Sequence, residues 1–265
     1  MNVSTDQCGW AFDVIARGIK KVCPYVNITG RSYPRDKTFQ IGHIKPPYPD
    51  LTTVLFTSYQ HIDVGFSCRV AASYNPLLRD QIIGYGYYPY QVPQCIDYEY
   101  FPVKRSSGSN FRIGFIGNAR RDIKRFDLYL QVKELLPQFE FKQIIQKESL
   151  TGELSYGELN SFYKDLDLIL CTSSYDIGPG CCFEGGLCAT PSLICSKNVG
   201  FTAVAKENYE YFSCHDDPLA IRDKILFLAN NRELIDMVGT NCHNLMMNKH
   251  TFQINKNIWD FVLSL

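Results

Sequence analysis

Two short stretches carry residue types that could do chemistry together. The first is Asn118-Ala119-Arg120-Arg121-Asp122-Ile123-Lys124-Arg125, in which four cations fall within six residues of a chain whose charges otherwise balance. They stand just before a segment of helical apolar spacing, where exposed N–H groups and the helix dipole favour an anion. Cations do not help that end of a helix, so the pattern reads either as a phosphate site or as a solvated basic turn. The second stretch runs from Thr172 through Asp176, Ile177, Gly178, Pro179 and Gly180 to Glu184, with the two carboxylates eight residues apart. Its glycines would let backbone N–H groups approach a ligand closely. Asp176 and Glu184 could both accept hydrogen bonds from a polyhydroxylated ligand; taken alone, Glu184 reads as a structural cap or ion-pair partner. Cations for a diphosphate and carboxylates for hydroxyls together match a sugar nucleotide.

The elements that must hold these loops are legible beyond residue 110. Residues 111–117 read as a buried strand ending in Gly117. Residues 126–136 read as a helix, with Phe126, Leu130 and Leu135 at helical spacing and a stop at Pro137. Strands are expected at 139–145, 166–172 and 192–195, and helices at 155–163 and 183–188. Ser155 and Glu158 have capping-box spacing. Asp217-Pro218 gives a cap and an N1 proline for another helix, Asn231 opens the next, and 254–263 reads as the last. Repeated strand–helix alternation implies a doubly wound parallel sheet.

Upstream, the chain is richer in Pro and Tyr. Residues 10–21 form an amphipathic pattern with Trp10, Val14 and Ile15 on one face and Arg17, Lys20 and Lys21 exposed, better suited to a core than to a membrane surface. Strands at 53–57 and 69–72 and a helix at 76–83 complete the reading. The expected class is α/β, with two Rossmann-like domains facing a cleft and the N-terminal one reduced. The expected division is 1–104, a polar linker at 105–110, and 111–265, with the last helix (254–264) placed to pack back on the first domain. Ligands of such sheets sit in the loops after strands.

Composition narrows the partners. The chain has 265 residues, 27 basic and 27 acidic, is 45% apolar and 20% charged, and is long enough to bury about three quarters of its surface. Zero net charge argues against bulk neutralisation of nucleic acid. No apolar run approaches a membrane span and no leader is visible, so the expectation is a cytoplasmic protein. The eleven cysteines include no C-x-x-C pair and read as buried small hydrophobes of a reduced protein. A zinc site from Cys181, Cys182, Cys188 and His215 is the less favoured alternative.

The segment from Ser173 to Pro191 keeps the E-x7-E spacing and resembles the S-x-x-E-G-F-G-x-x-x-x-E-A-M-A-x-G-x-P signature of retaining, family-four-like glycosyltransferases with the GT-B fold, with Asp176 in place of the first Glu. Gly117 with Lys124-Arg125-Phe126-Asp127 resembles that family's G-R…K-G-x-D loop, Asn118 standing where the family has Arg and leaving Arg120 or Arg121 to substitute. Gln94-Cys95-Ile96-Asp97 through Phe101 resembles N-G-V-D-x-x-x-F, and Asp6-Gln7-Cys8-Gly9-Trp10 resembles the first strand–loop–helix of some members.

The resemblance implies transfer of a sugar from a nucleotide-diphosphate donor with retention of configuration, without metal or cofactor. Arg120, Arg121 and Lys124 would then stabilise the leaving diphosphate beside Gly117 and Asn118. The Gly178–Gly180 backbone, with Ile177 and Pro179 in the same loop, would contact the sugar and β-phosphate. Asp176 would hold sugar hydroxyls, Glu184 the ribose, and Gly9 would face the phosphates. Asp176, Lys124 and Arg120 are the catalytic candidates; His61 is the one candidate for a functional histidine near the sugar, against a structural role. The acceptor, whether glycan, lipid-linked or protein, belongs to the shortened domain, so a protein or peripheral membrane partner could complete its site. The competing readings are a catalytically impaired nucleotide-sugar-binding protein and, ranked last, a nucleotide-sugar epimerase.

Overall fold

The structure, a computed structural model, describes residues 1–4, 11–29, 37–41, 46, 48–57, 67–97, 110–145 and 156–265. The chain divides into two compact units, Met1–Asp97 with Lys249–Leu265, and Tyr98–Asn248.

In the first unit, β1 (Asn2–Ser4), α1 (Ala11–Val22), β2 (Asn27–Thr29), β3 (Thr38–Ile41), β4 (Thr52–Phe56), β5 (Val70–Ser73), α2 (Pro76–Gly84) and β6 (Tyr90–Gln91) follow in order. All strand pairs are parallel, in the order β2-β1-β3-β4-β5-β6. Four of these strands, β1, β2, β3 and β6, are absent from the strands read from the residue pattern. Each has only two to four residues, too few to show a period. On α1, Ile15 and Ile19 are buried while Arg17, Lys20 and Lys21 are exposed. Asn75 caps α2 by accepting the Leu77 N–H at 2.9 Å, with Pro76 at N1.

The second unit holds β7 (Arg112–Gly117), α3 (Phe126–Leu135), β8 (Glu140–Ile145), α4 (Tyr156–Lys164), β9 (Leu168–Cys171), α5 (Gly180–Leu187), β10 (Ser192–Ile194), β11 (Phe212–Ser213), α6 (Pro218–Ala229) and α7 (Arg232–Lys249). Its five parallel strands run β11-β10-β9-β7-β8. The buried run Leu168–Cys171 is what a central parallel strand covered on both faces requires. Phe115, Leu128, Tyr129, Leu170, Leu193, Ile221 and Ile225 join one apolar core. α5 lies close to this sheet at Gly185, where an added Cβ would fall 1.9 Å from Ile169 Cδ1 and 3.3 Å from the Thr190 carbonyl. Asp165 and Asp167 are structural: Asp165 pairs with Arg112 and Lys142, and Asp167 accepts the Arg112 N–H at 2.8 Å.

The second unit ends at Asn248 rather than 265. The last helix, α8 (Lys256–Ser264), belongs to the first unit. Trp259, Val262 and Leu263 bury into its core with Phe39, Ile19 and Phe252. The Ile96 N–H donates to the His250 carbonyl at 2.7 Å, fixing the returning chain. No helix among the described residues is long and apolar enough to cross a membrane.

Candidate functional site

In the second sheet the chain leaves β7 toward β8 on one side and returns to β9 on the other. Between β7 and β9 the strand order reverses, and ligands of open parallel sheets bind outside the carboxyl ends at that point. The two loops that emerge there are the basic loop after β7 and the Gly-rich loop after β9.

The loops are tied together by backbone and hydroxyl bonds. The Ser174 N–H donates to the Ile123 carbonyl at 2.9 Å, and the Thr172 hydroxyl donates to the Lys124 carbonyl at 2.7 Å. A 3-10 turn, Asp122–Lys124, ends at Arg125 in the left-handed region (φ 48°). This framework brings Lys124 Nζ onto Asp176 Oδ2, although the residues lie 52 positions apart. Both side chains keep only 16% of their exposure. Burial works against the Lys124 cation, but the adjacent Asp176 carboxylate, helped by neighbouring thiol groups, holds its pKa above the ordinary lysine value. Asp176 also accepts the Gly178 N–H at 3.3 Å, and its backbone pairs with Asn198 and Gly200.

Of the other cations, Arg125 pairs with Asp216, while Arg120 and Arg121 are exposed. Asn118 is buried and shapes their turn, its Oδ1 accepting the Arg120 N–H at 3.0 Å and its carbonyl the Arg121 N–H at 3.1 Å. Gly117 is buried at the end of β7. The Ile177 side chain is 2% exposed and packs inward, leaving only its backbone for a ligand. Pro179 has no N–H and serves as the N-cap residue of α5. The expected row of donors at Gly178–Gly180 therefore shrinks: Gly178 donates to Asp176, and Gly180 opens the helix, whose Cys182 N–H already donates to the Pro179 carbonyl at 2.9 Å.

Glu184 sits one turn into α5 and accepts the Tyr163 hydroxyl at 2.6 Å. Burial pushes its carboxyl above the ordinary range, partly offset by that hydrogen bond. Tyr163, on α4, is a site residue the sequence did not announce: nothing local relates it to Glu184, 21 positions on. Gly9 and His61 lie outside the described residues.

The alternative metal set is not assembled as expected. The Cys188 thiol lies 3.6 Å from Asn160 Oδ1. The one group of three metal-capable side chains among the described residues is Cys171, Cys181 and Cys182, which excludes both Cys188 and His215.

No family model and no curated protein matches the sequence. Solved structures do. A glycosyltransferase from Rickettsia africae superposes with a TM-score of 0.72 at 11% identity, over 99% of this chain and 97% of that one. HepE from Anabaena, in complex with UDP and glucose, gives 0.69 at 11% identity over 100% and 99%. TarM gives 0.67 at 13% identity over 86% of this chain, which spans only 54% of TarM's length. The two parallel sheets flanked by helices are those of the GT-B glycosyltransferase fold.

Proposed function

We propose that this chain is a glycosyltransferase that uses a nucleotide-diphosphate sugar as donor and transfers the sugar with retention of configuration. The observation that carries the proposal is the Lys124–Asp176 pair where strand order reverses, one cation and one carboxylate held side by side at the carboxyl ends of β7 and β9. A sugar diphosphate presents matching chemistry: phosphate oxygens for the cation and hydroxyls for the carboxylate. The GT-B fold and the UDP bound in the Anabaena neighbour support the same donor class.

In this reading Lys124, with Arg120 and Arg121, stabilises the charge that grows on the departing diphosphate. Asp176 orients the sugar through its hydroxyls. Glu184 accepts ribose hydroxyls with its second oxygen while Tyr163 occupies the first. No protein nucleophile is assigned; the acceptor attacks from the face the diphosphate leaves. The reaction as proposed draws on no metal or other cofactor, and the acceptor remains a glycan, a lipid-linked sugar or a protein.

The test is a panel of nucleotide sugars. A millimolar donor with micromolar affinity adds about 4 kcal/mol of apparent stability, easily read as a thermal shift. Donors that shift the protein are then incubated with it and the released sugar followed by proton NMR. The expected result is slow donor cleavage, the first sugar anomer released having the donor's configuration, lost in Glu184→Ala. Release of the opposite anomer refutes retention. Binding without any turnover refutes the enzyme and leaves a nucleotide-sugar-binding protein.

A further inference from the structure

Cys171 is the last residue of β9, and Cys181 and Cys182 lie in the first turn of α5. Their three sulfurs all lie within 4.8 Å of one another. Three points no farther apart than that fit a circle of radius about 2.8 Å, so a central ion needs a contraction of only about 0.5 Å to reach metal–thiolate bond length. The positions are set by rigid backbone: β9 is paired on both sides, by β7 and β10, and α5 packs tightly against it through Gly185. Cys171 and Cys182 are buried, while Cys181 is half-buried and gives the cluster a way in from solvent.

Cys181 and Cys182 stand at the positive end of a helix dipole, which favours thiolate. A bound cation would displace the thiol protons to solvent, as thiolate ligation requires.

We propose that Cys171, Cys181 and Cys182 form a trithiolate site for one soft monovalent cation, Cu(I). No fourth His, Cys, Asp or Glu among the described residues joins the group. A structural Zn(II) site takes four protein ligands, whereas soft thiolates select Cu(I). The cysteine reading from sequence, small buried hydrophobes, holds for Cys242; Cys23 is buried but donates its thiol to Asp260 at 3.1 Å, and Cys68 and Cys214 are only half-buried.

The test uses the full chain, reduced and anaerobic, titrated with Cu(I) against a chromophoric Cu(I) chelator and, separately, with Zn(II). It needs no nucleotide, so its outcome is independent of the donor assignment. One equivalent of Cu(I) should be retained, with affinity falling at least about 100-fold in Cys181→Ser and unchanged in Cys188→Ser. Cys181 is the primary variant because its half-exposed side chain tolerates substitution; Cys171→Ser, checked for folding by circular dichroism, is the second. Retention by Cys181→Ser equal to the parent overturns the site. Loss of Cu(I) to the chelator by the parent also overturns it. Tighter retention of Zn(II) than of Cu(I) overturns the three-coordinate assignment.

Discussion

Replacing Lys124 by Met tests the site most directly, because the same side chain is asked to do two separable things. It neutralises Asp176 in the resting protein, and it is proposed to hold donor phosphate. Both partners of the pair retain 16% of their exposure, between a surface bridge worth under about 1 kcal/mol and a fully buried one worth about 3–5 when broken. Removing Lys124 leaves the Asp176 carboxylate with the Gly178 N–H, so Lys124→Met should lose about 1–3 kcal/mol of stability. Asp176→Asn, added to it, removes the orphaned charge while keeping an oxygen for Gly178, and should restore most of that loss. Nucleotide binding should behave differently. A charge-assisted hydrogen bond to phosphate is worth about 1.5–3 kcal/mol, so UDP affinity should fall about 10- to 150-fold in Lys124→Met. It should stay low in the double variant. The assays are urea unfolding for stability and calorimetric titration with UDP for binding, set out as a double-mutant cycle. If the folded single variant binds UDP within about twofold of the parent, Lys124 is a structural ion-pair partner and the phosphate assignment is wrong.

Two further outcomes can be checked with single substitutions. Burial raises the Glu184 pKa in the folded protein, so its contribution to stability is complete below the unfolded-state value and is lost as pH rises through the folded one. Unfolding free energies from urea titrations should fall as pH rises above the ordinary carboxylate range, with a slope of up to about 1.4 kcal/mol per pH unit that Glu184→Gln removes; an unchanged profile refutes the perturbation. Ala189 closes α5 in the left-handed region (φ 55°), with its N–H on the Gly186 carbonyl and the Thr190 N–H on that of Gly185. This is a Schellman cap normally closed by glycine, so Ala189→Gly should stabilise by about 0.5–1 kcal/mol in the same unfolding assay, and a loss of stability counts against the assigned strain.

Much of the second unit was readable from local chemistry. Asp217 caps α6 by accepting the Leu219 and Ala220 N–H groups at 3.0 and 2.9 Å, as the Asp-Pro pair promised. The buried run of β9 followed from its apolar character; the helix after Phe126 forms where expected, but Leu130 and Leu135 of its expected apolar face are exposed, and Leu128, Tyr129 and Val132 are the buried residues. The first unit was harder. Its three-residue strands Asn2–Ser4 and Asn27–Thr29 owe their extended form to neighbours in the sheet, not to any pattern of their own.

Sequence by itself determined which loops bear cations, carboxylates and thiols, and that each follows a strand. Those are properties of neighbouring residues, governed by side-chain spacing and capping. Only the tertiary structure decided which loops meet. Lys124 reaches Asp176 because β7 and β9 are adjacent in the sheet while β8 takes the far side of β7, and Cys171 reaches Cys181 and Cys182 because α5 folds back onto β9. Strand order is set by long-range packing of the whole core, and no window of sequence contains it. For α8 the sequence reading already named the first domain as its partner, and Trp259 and Val262 bury there with Phe39, Ile19 and Phe252.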